Sequence, residues 1–238
     1  MTTTPGVGWA PAAASAVRER LGPGRLLPLG EAADGAWLAE RAARAVLLRA
    51  AGAVRGVVPG ALRVGLATAG RKAPWPVPPG GLPPGTLRIT GEFAAEAARV
   101  ADRPLPELAE AVRGALFASA ERELGLAVVA VDLRVTGLAE AAPDSPATTP
   151  PPGRTAARVT ARPTTDDPVA RAVLGVPGVA GLTSVLGRPV HRTPGALRVE
   201  LAVFPGHRAL DVARAARTRA AEAAPAATAV TVLVAEIR

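Results

Sequence analysis

The 238-residue chain has no cysteine, tyrosine, asparagine or glutamine, and only one lysine, Lys72. Without cysteine there are no disulfides, thiolate zinc sites or cysteine nucleophiles, which fits a reducing compartment. Aromatic residues make up 3% of the chain, too few for an aromatic cage or a stacking platform for bases. With 49% apolar residues and 25 each of Gly and Pro, a core must be built mainly from Ala, Val and Leu. The absence of tyrosine, asparagine and glutamine, with Lys72 as the one lysine, is the pattern expected of a GC-rich genome. The formal net charge of +8 and the pI near 11.5 therefore overstate the basic character, because nearly every base is Arg and almost nothing titrates near pH 10.

Met1 to Ala14 lacks the basic and apolar regions of a secretory signal. The apolar stretches near Leu126–Val131 and Ala223–Ala235 are too short, or too rich in Ala and Thr, to cross a bilayer. A cytoplasmic protein is expected. Two segments break the pattern: Pro74–Pro84 (PWPVPPGGLPP), and Ala142–Pro163 with its six prolines. Neither can be a helix or a central strand. The first reads as a loop, with recognition by a proline-binding domain as a lesser alternative. The second reads as an interdomain linker. The expected division is an N-terminal extension (1–24), a first unit (25–140) with a Pro-rich insertion at 71–85, a linker (141–154) and a second unit (155–238).

Across that linker the chain repeats itself. Gly85-Thr86-Leu87-Arg88-Ile89 opens an alternating run, followed by a helical run over Leu105–Glu123 and a strand over Leu126–Val135. Gly195–Val203, Arg208–Ala224 and Ala229–Ile237 follow the same order. Upstream of each lie a helix and a strand: Ala36–Ala51 with Ala61–Ala67, and Pro168–Leu174 with Leu186–Arg192. Leu105, Leu108, Ala109, Val112, Leu116 and Ala120 form one apolar stripe, and Leu210, Ala213, Ala216 and Ala220 a thinner one. Asp34 is a plausible N-cap for the Ala36 helix, as Asp166 or Asp167 is before Pro168. The fold class expected is α+β: two tandem two-layer sandwiches, each helix-strand-strand-helix-strand with a three-stranded sheet.

These residues carry a resemblance. A helix running into Val176-Pro177-Gly178-Val179-Ala180-Gly181-Leu182, a strand over Leu197–Phe204, the helix Leu210-Asp211-Val212-Ala213-Arg214-Ala215-Ala216-Arg217 and the strand Ala229–Ile237 resemble the alkaline shock protein, or envelope stress response, family. Ala36–Val54, Pro104–Arg113 and Val128–Val135 resemble it in the first half, where Arg55-Gly56-Val57-Val58-Pro59-Gly60 only approximates the Val-Pro-Gly-Val turn. The resemblance implies a non-enzymatic bacterial cytoplasmic protein of cell-envelope homeostasis. Its implied partner is a protein, either a small membrane-anchored one or a paralogous family member, which would hold it at the inner face of the membrane.

No motif argues for catalysis. His191 and His207 fall in no paired-ligand spacing for a metal, and His207 with Asp211 reads as a solvated helix-face pair. Ser15, Ser119, Ser145 and Ser184 have no nucleophile-elbow context, and Gly6-Val7-Gly8 and Gly70-Arg71-Lys72 complete neither a dinucleotide nor a phosphate loop. No catalytic residue, metal, cofactor or small-molecule substrate is expected. Trp37 reads as core, whereas Trp75, in the Pro-rich loop, is a candidate partner contact. Arg208, Arg214, Arg217 and Arg219 cluster on one helix near Arg188 and Arg192, and with Trp75 they form the candidate interaction surface. The alternative is a nucleic-acid-binding module using that arginine face. Against it stand the lack of a Gly-x-x-Gly clamp positioned between helices, the lack of stacking aromatics, and dilution of the patch by Glu200, Asp211 and Glu222. Opposite charge on the two related helices favours protein association.

Overall fold

The structure is a computed structural model and describes residues 24–70, 72–100, 103–140 and 166–238. The Pro-rich linker, and the N-terminal extension up to residue 23, lie outside the described residues. In chain order the elements are β1 (Leu26–Leu29), a 3₁₀ turn (Ala32–Asp34), β2 (Ala36–Ala39), α1 (Glu40–Gly52), β3 (Val57–Leu66), β4 (Leu87–Glu96), the short α2 (Ala97–Val100) and α3 (Leu105–Ser119). A π-helical turn (Ala120–Leu124) leads from α3 into β5 (Val128–Ala139). The second half supplies α4 (Pro168–Leu174), β6 (Val179–Leu182), β7 (Val190–Thr193), β8 (Ala196–Val203), α5 (Ala209–Ala223) and β9 (Ala229–Ile237). The fold is α+β, as expected.

The repeat is visible in the strand pairing. β4 pairs antiparallel with β3 and, across the α3 crossover, parallel with β5. β8 pairs antiparallel with β6 and β7 and, across the α5 crossover, parallel with β9. The helix stripes do what their spacing requires. Leu108, Val112, Leu116 and Ala120 are buried in the first half, as are Leu210, Ala213, Ala216 and Ala220 in the second. Pro168 at the first turn of α4 follows Asp167, whose carboxylate caps the Val169 and Ala170 amides at 2.9 and 3.3 Å.

Three expectations are corrected. The first sheet is three-stranded, but the second has six strands, in the order β1-β2-β9-β8-β6 with β7 also on β8. Ala36–Ala39, read as the start of a helix, is instead strand β2, parallel to β9 with Trp37 beside Leu233. All four of its residues are buried. A helix at the surface of this core would bury one stripe, whereas a strand with both faces covered buries every residue, and that burial overrides the helix propensity of Ala and Leu. Residues 26–39 thus belong to the second sheet, so the boundary between the units does not follow the order of the chain. Third, the helix before Val176-Pro177-Gly178 stops at Leu174, and Val179–Leu182 is strand β6. Gly178 turns the chain at φ +90°, and a Cβ there would lie 2.6 Å from Val212 Cγ2.

One continuous apolar cluster runs through both halves, from Leu26 to Val234. The Pro-rich segment closes one margin of the larger sheet: the Leu26 amide donates to Gly80 O at 3.0 Å, and the Leu82 amide donates back to Leu26 O at 2.8 Å. Trp37, 1% exposed, donates its indole N–H to Leu82 O at 3.1 Å, so this loop also covers the largest core side chain.

Candidate interaction surface

Helix α5 places Arg214 and Arg217 three residues apart, hence on neighbouring parts of one face. Both turn toward the first half. Arg214 grips the Asp34 carboxylate with two nitrogens, at 2.8 and 2.9 Å. Arg217 lays its guanidinium over the Trp75 ring, 4.5 Å from the centroid, while its Nε donates to Val230 O at 3.0 Å. The Trp75 indole N–H donates to Ala33 O at 3.1 Å, so the Pro-rich loop, the 3₁₀ turn and α5 meet at one point. Burial alone would raise the Asp34 pKa. The hydrogen bonds from Arg214 and the Glu31 amide, with the charges of Arg214 and Arg217, outweigh it and hold the carboxyl below its ordinary value.

Arg208 precedes α5 and donates its Nε to Glu121 O at 2.9 Å, in the turn after α3, while its other nitrogen pairs with Asp211 at 3.3 Å. Arg219 is at the solvent, paired with Glu222 at 3.1 Å. The structure therefore brings Arg214, Arg217 and Trp75 together, attaches Arg208 to the first unit, and leaves Arg219 on its own. Asp34, read as a helix cap, is the acidic half of the junction. No local pattern marks it, because its partner is 180 residues away.

Between the units the same elements border an open cleft of about 500 Å³. Its lining is mixed, with Phe117, Leu126, Val128 and Leu210 beside the charged Glu31, Glu121, Arg208 and Arg214. Gly125, in the turn after α3, packs against Leu210 of α5. Its φ is +80°, and a Cβ there would lie 2.4 Å from Leu210 Cβ.

Elsewhere, His191 is exposed on β7, and His207 is exposed ahead of α5, where Asp211 takes Arg208 as its partner. Among the described residues no group of three His, Asp or Glu side chains converges as a metal site, and no helix is long and apolar enough to cross a membrane. Glu200, counted from the sequence as surface charge, is fully buried on β8. Its carboxylate accepts the Leu186 amide at 2.8 and 3.2 Å, and its own amide donates to Pro189 O at 2.8 Å, so it anchors the loop between β6 and β7. Burial pushes its pKa up to about 7, against the opposing pull of the Leu186 and Val185 amides and the Arg198 charge. An acidic residue inside the apolar run Leu197–Val203 was the available signal for this placement. Compared with known protein families and with curated proteins, the chain matches no family model and no curated sequence.

Proposed function

We propose that the protein is a non-catalytic interaction module that receives a protein partner in the cleft between its two units. The observation that carries this reading is the cleft itself: both units build it, and it combines half-buried Phe117 and Val128 with the charges of Glu31, Glu121, Arg208 and Arg214. The nucleic-acid alternative loses ground on the same geometry. Arg208, Arg214 and Arg217 each commit donors to groups of this chain, namely Glu121 O, Asp34 and Val230 O, which favours a junction within the chain over an open phosphate-binding face. Resemblance to the alkaline shock family supports a role in bacterial cell-envelope homeostasis, with a small membrane-anchored protein or a paralogue as partner and a location at the inner face of the membrane.

A photo-crosslinking residue at Glu121, in the cleft, tests this in cells, with Thr90 on the outer face of the first sheet as control. One discrete adduct from Glu121, absent from Thr90 and lost in a Phe117→Ser chain that melts cooperatively, is the expected result. Equal crosslinking from both positions, or retention on RNA that falls steeply with salt and survives Phe117→Ser, overturns it.

A further inference from the structure

A strand at the edge of a sheet exposes peptide groups that can pair with another chain, and proteins blunt such edges. Three edges of this molecule are blunted. β1 is tied to the Pro-rich loop through Gly80 and Leu82. β3 carries Pro59, which has no N–H, and its Val64 amide and carbonyl are engaged by Glu40 and Arg25, both at 3.4 Å. β6 is only four residues long. β5 differs, with 12 residues in an outermost strand of the first sheet. At this edge Arg113 Nε donates to the Val131 carbonyl at 3.2 Å, leaving that oxygen a second lone pair. Pairing with β4 is regular from Ile89↔Val131 to Phe93↔Val135, so the peptide groups of Leu133 and Val135 face the same way as that of Val131.

The side chains along this edge are self-complementary. Asp132 and Arg134 lie on the solvent face on either side of Leu133, with opposite charge. Each already faces the opposite sign on β4: Asp132 pairs with Arg88 at 2.7 Å and Arg134 with Glu92 at 3.9 Å. On the other face, Leu133 is half-buried and Val135 exposed. We propose that β5 is the seam of a homodimer, pairing antiparallel with β5 of a second copy of this chain about a two-fold axis at Leu133. That register sets Asp132 opposite Arg134 of the second copy, twice by symmetry, at non-hydrogen-bonded positions where side chains stand closest. The row of charges then alternates in sign across the seam from one β4 to the other. Val131, Leu133 and Val135 exchange backbone hydrogen bonds, and on the helix side the seam covers Leu133 and Val135, which one copy leaves open. A shift by two residues, the next that keeps the outward-facing peptide groups opposite one another, sets Arg134 against Arg134, so the charges also select the register. The result is a continuous six-stranded sheet.

This inference is independent of the cleft reading, because Asp132 and Arg134 do not line the cleft. Sedimentation of the full chain across micromolar concentrations at low salt tests it, with thermal melts to confirm folding. The wild type is expected to dimerise. Asp132→Arg or Arg134→Asp places like charges opposite each other twice and weakens the dimer by about tenfold or more, and the double swap D132R/R134D restores it. A wild type that stays monomeric, or single and double variants that all dimerise alike, overturns the proposal.

Discussion

Arg214 on α5 holds Asp34 through two hydrogen bonds of 2.8 and 2.9 Å, joining a turn of the first half to a helix of the second. Asp34 is largely sheltered while Arg214 is half-exposed, so the pair lies between a surface bridge and a buried one. Removing either partner is expected to cost about 1 to 2 kcal/mol of stability, less than a fully buried pair. Because Asp34 has a lowered pKa in the folded state, its contribution is present above the unfolded value near 3.8 and is lost as pH falls through the lower folded value. Urea melts of Asp34→Asn, Arg214→Ala and the double variant measure the coupling. Additive losses across that cycle would exclude a direct interaction.

Glu200 works in the opposite direction. Its folded pKa of about 7 lies above the ordinary 4.5, so the folded state binds the extra proton between these values. Stability therefore falls as pH rises from about 4.5 to 7 and stays lower above that range. Glu200→Gln keeps an oxygen for the Leu186 amide without a charge that can form. The variant should be more stable than wild type at pH 8, by a few kcal/mol at most, and nearly equal to it at pH 5. Melting temperatures at the two pH values decide it, and an equal gain at both would point to packing.

Gly125 is constrained twice, by its positive φ and by Leu210. Gly125→Ala should cost about 2 to 4 kcal/mol, the sum of a left-handed backbone penalty and overpacking. The clash is with Leu210 Cβ, which alanine retains, so adding Leu210→Ala should not recover the loss. Chemical denaturation of the single and double variants reads this out.

Trp75→Ala removes the surface beneath Arg217 and the hydrogen bond to Ala33 O. A loss of about 1 to 2 kcal/mol is expected. Tryptophan fluorescence adds a local probe: in a Trp9→Phe background, with Trp37 buried, acrylamide quenching should report mainly Trp75, and Arg217→Ala should increase it. Unchanged quenching would show that the guanidinium does not shield the ring.

The helix stripes and strand alternation were legible because their causes are local: Leu108, Val112 and Leu116 declare a buried face by spacing alone. The strand-helix-strand succession of β4-α3-β5 and β8-α5-β9 followed from the repeat, whereas β6 did not. β2 was not legible, since Ala36-Trp37-Leu38-Ala39 favours a helix until β9 is beside it. The arginine cluster was visible on α5, but its role depended on Asp34 and Trp75, which spacing on α5 cannot reveal. Glu200 was misread because the apolar positions around it, and not its own type, determine its environment.

The pairing of β2 with β9 also sets the timing of assembly. Ala36 must wait for Val232, and at about 5–20 residues per second the ribosome takes roughly 10 to 40 seconds to supply it. Over that interval Trp37 and Leu38 on β2 have only β1 beside them, with the β9 side of the strand open, while the first sheet, whose strands are all upstream of residue 140, can already close. The nascent chain thus carries a sticky hairpin beside a finished sheet, and protection of that hairpin during synthesis becomes a condition for reaching the folded state.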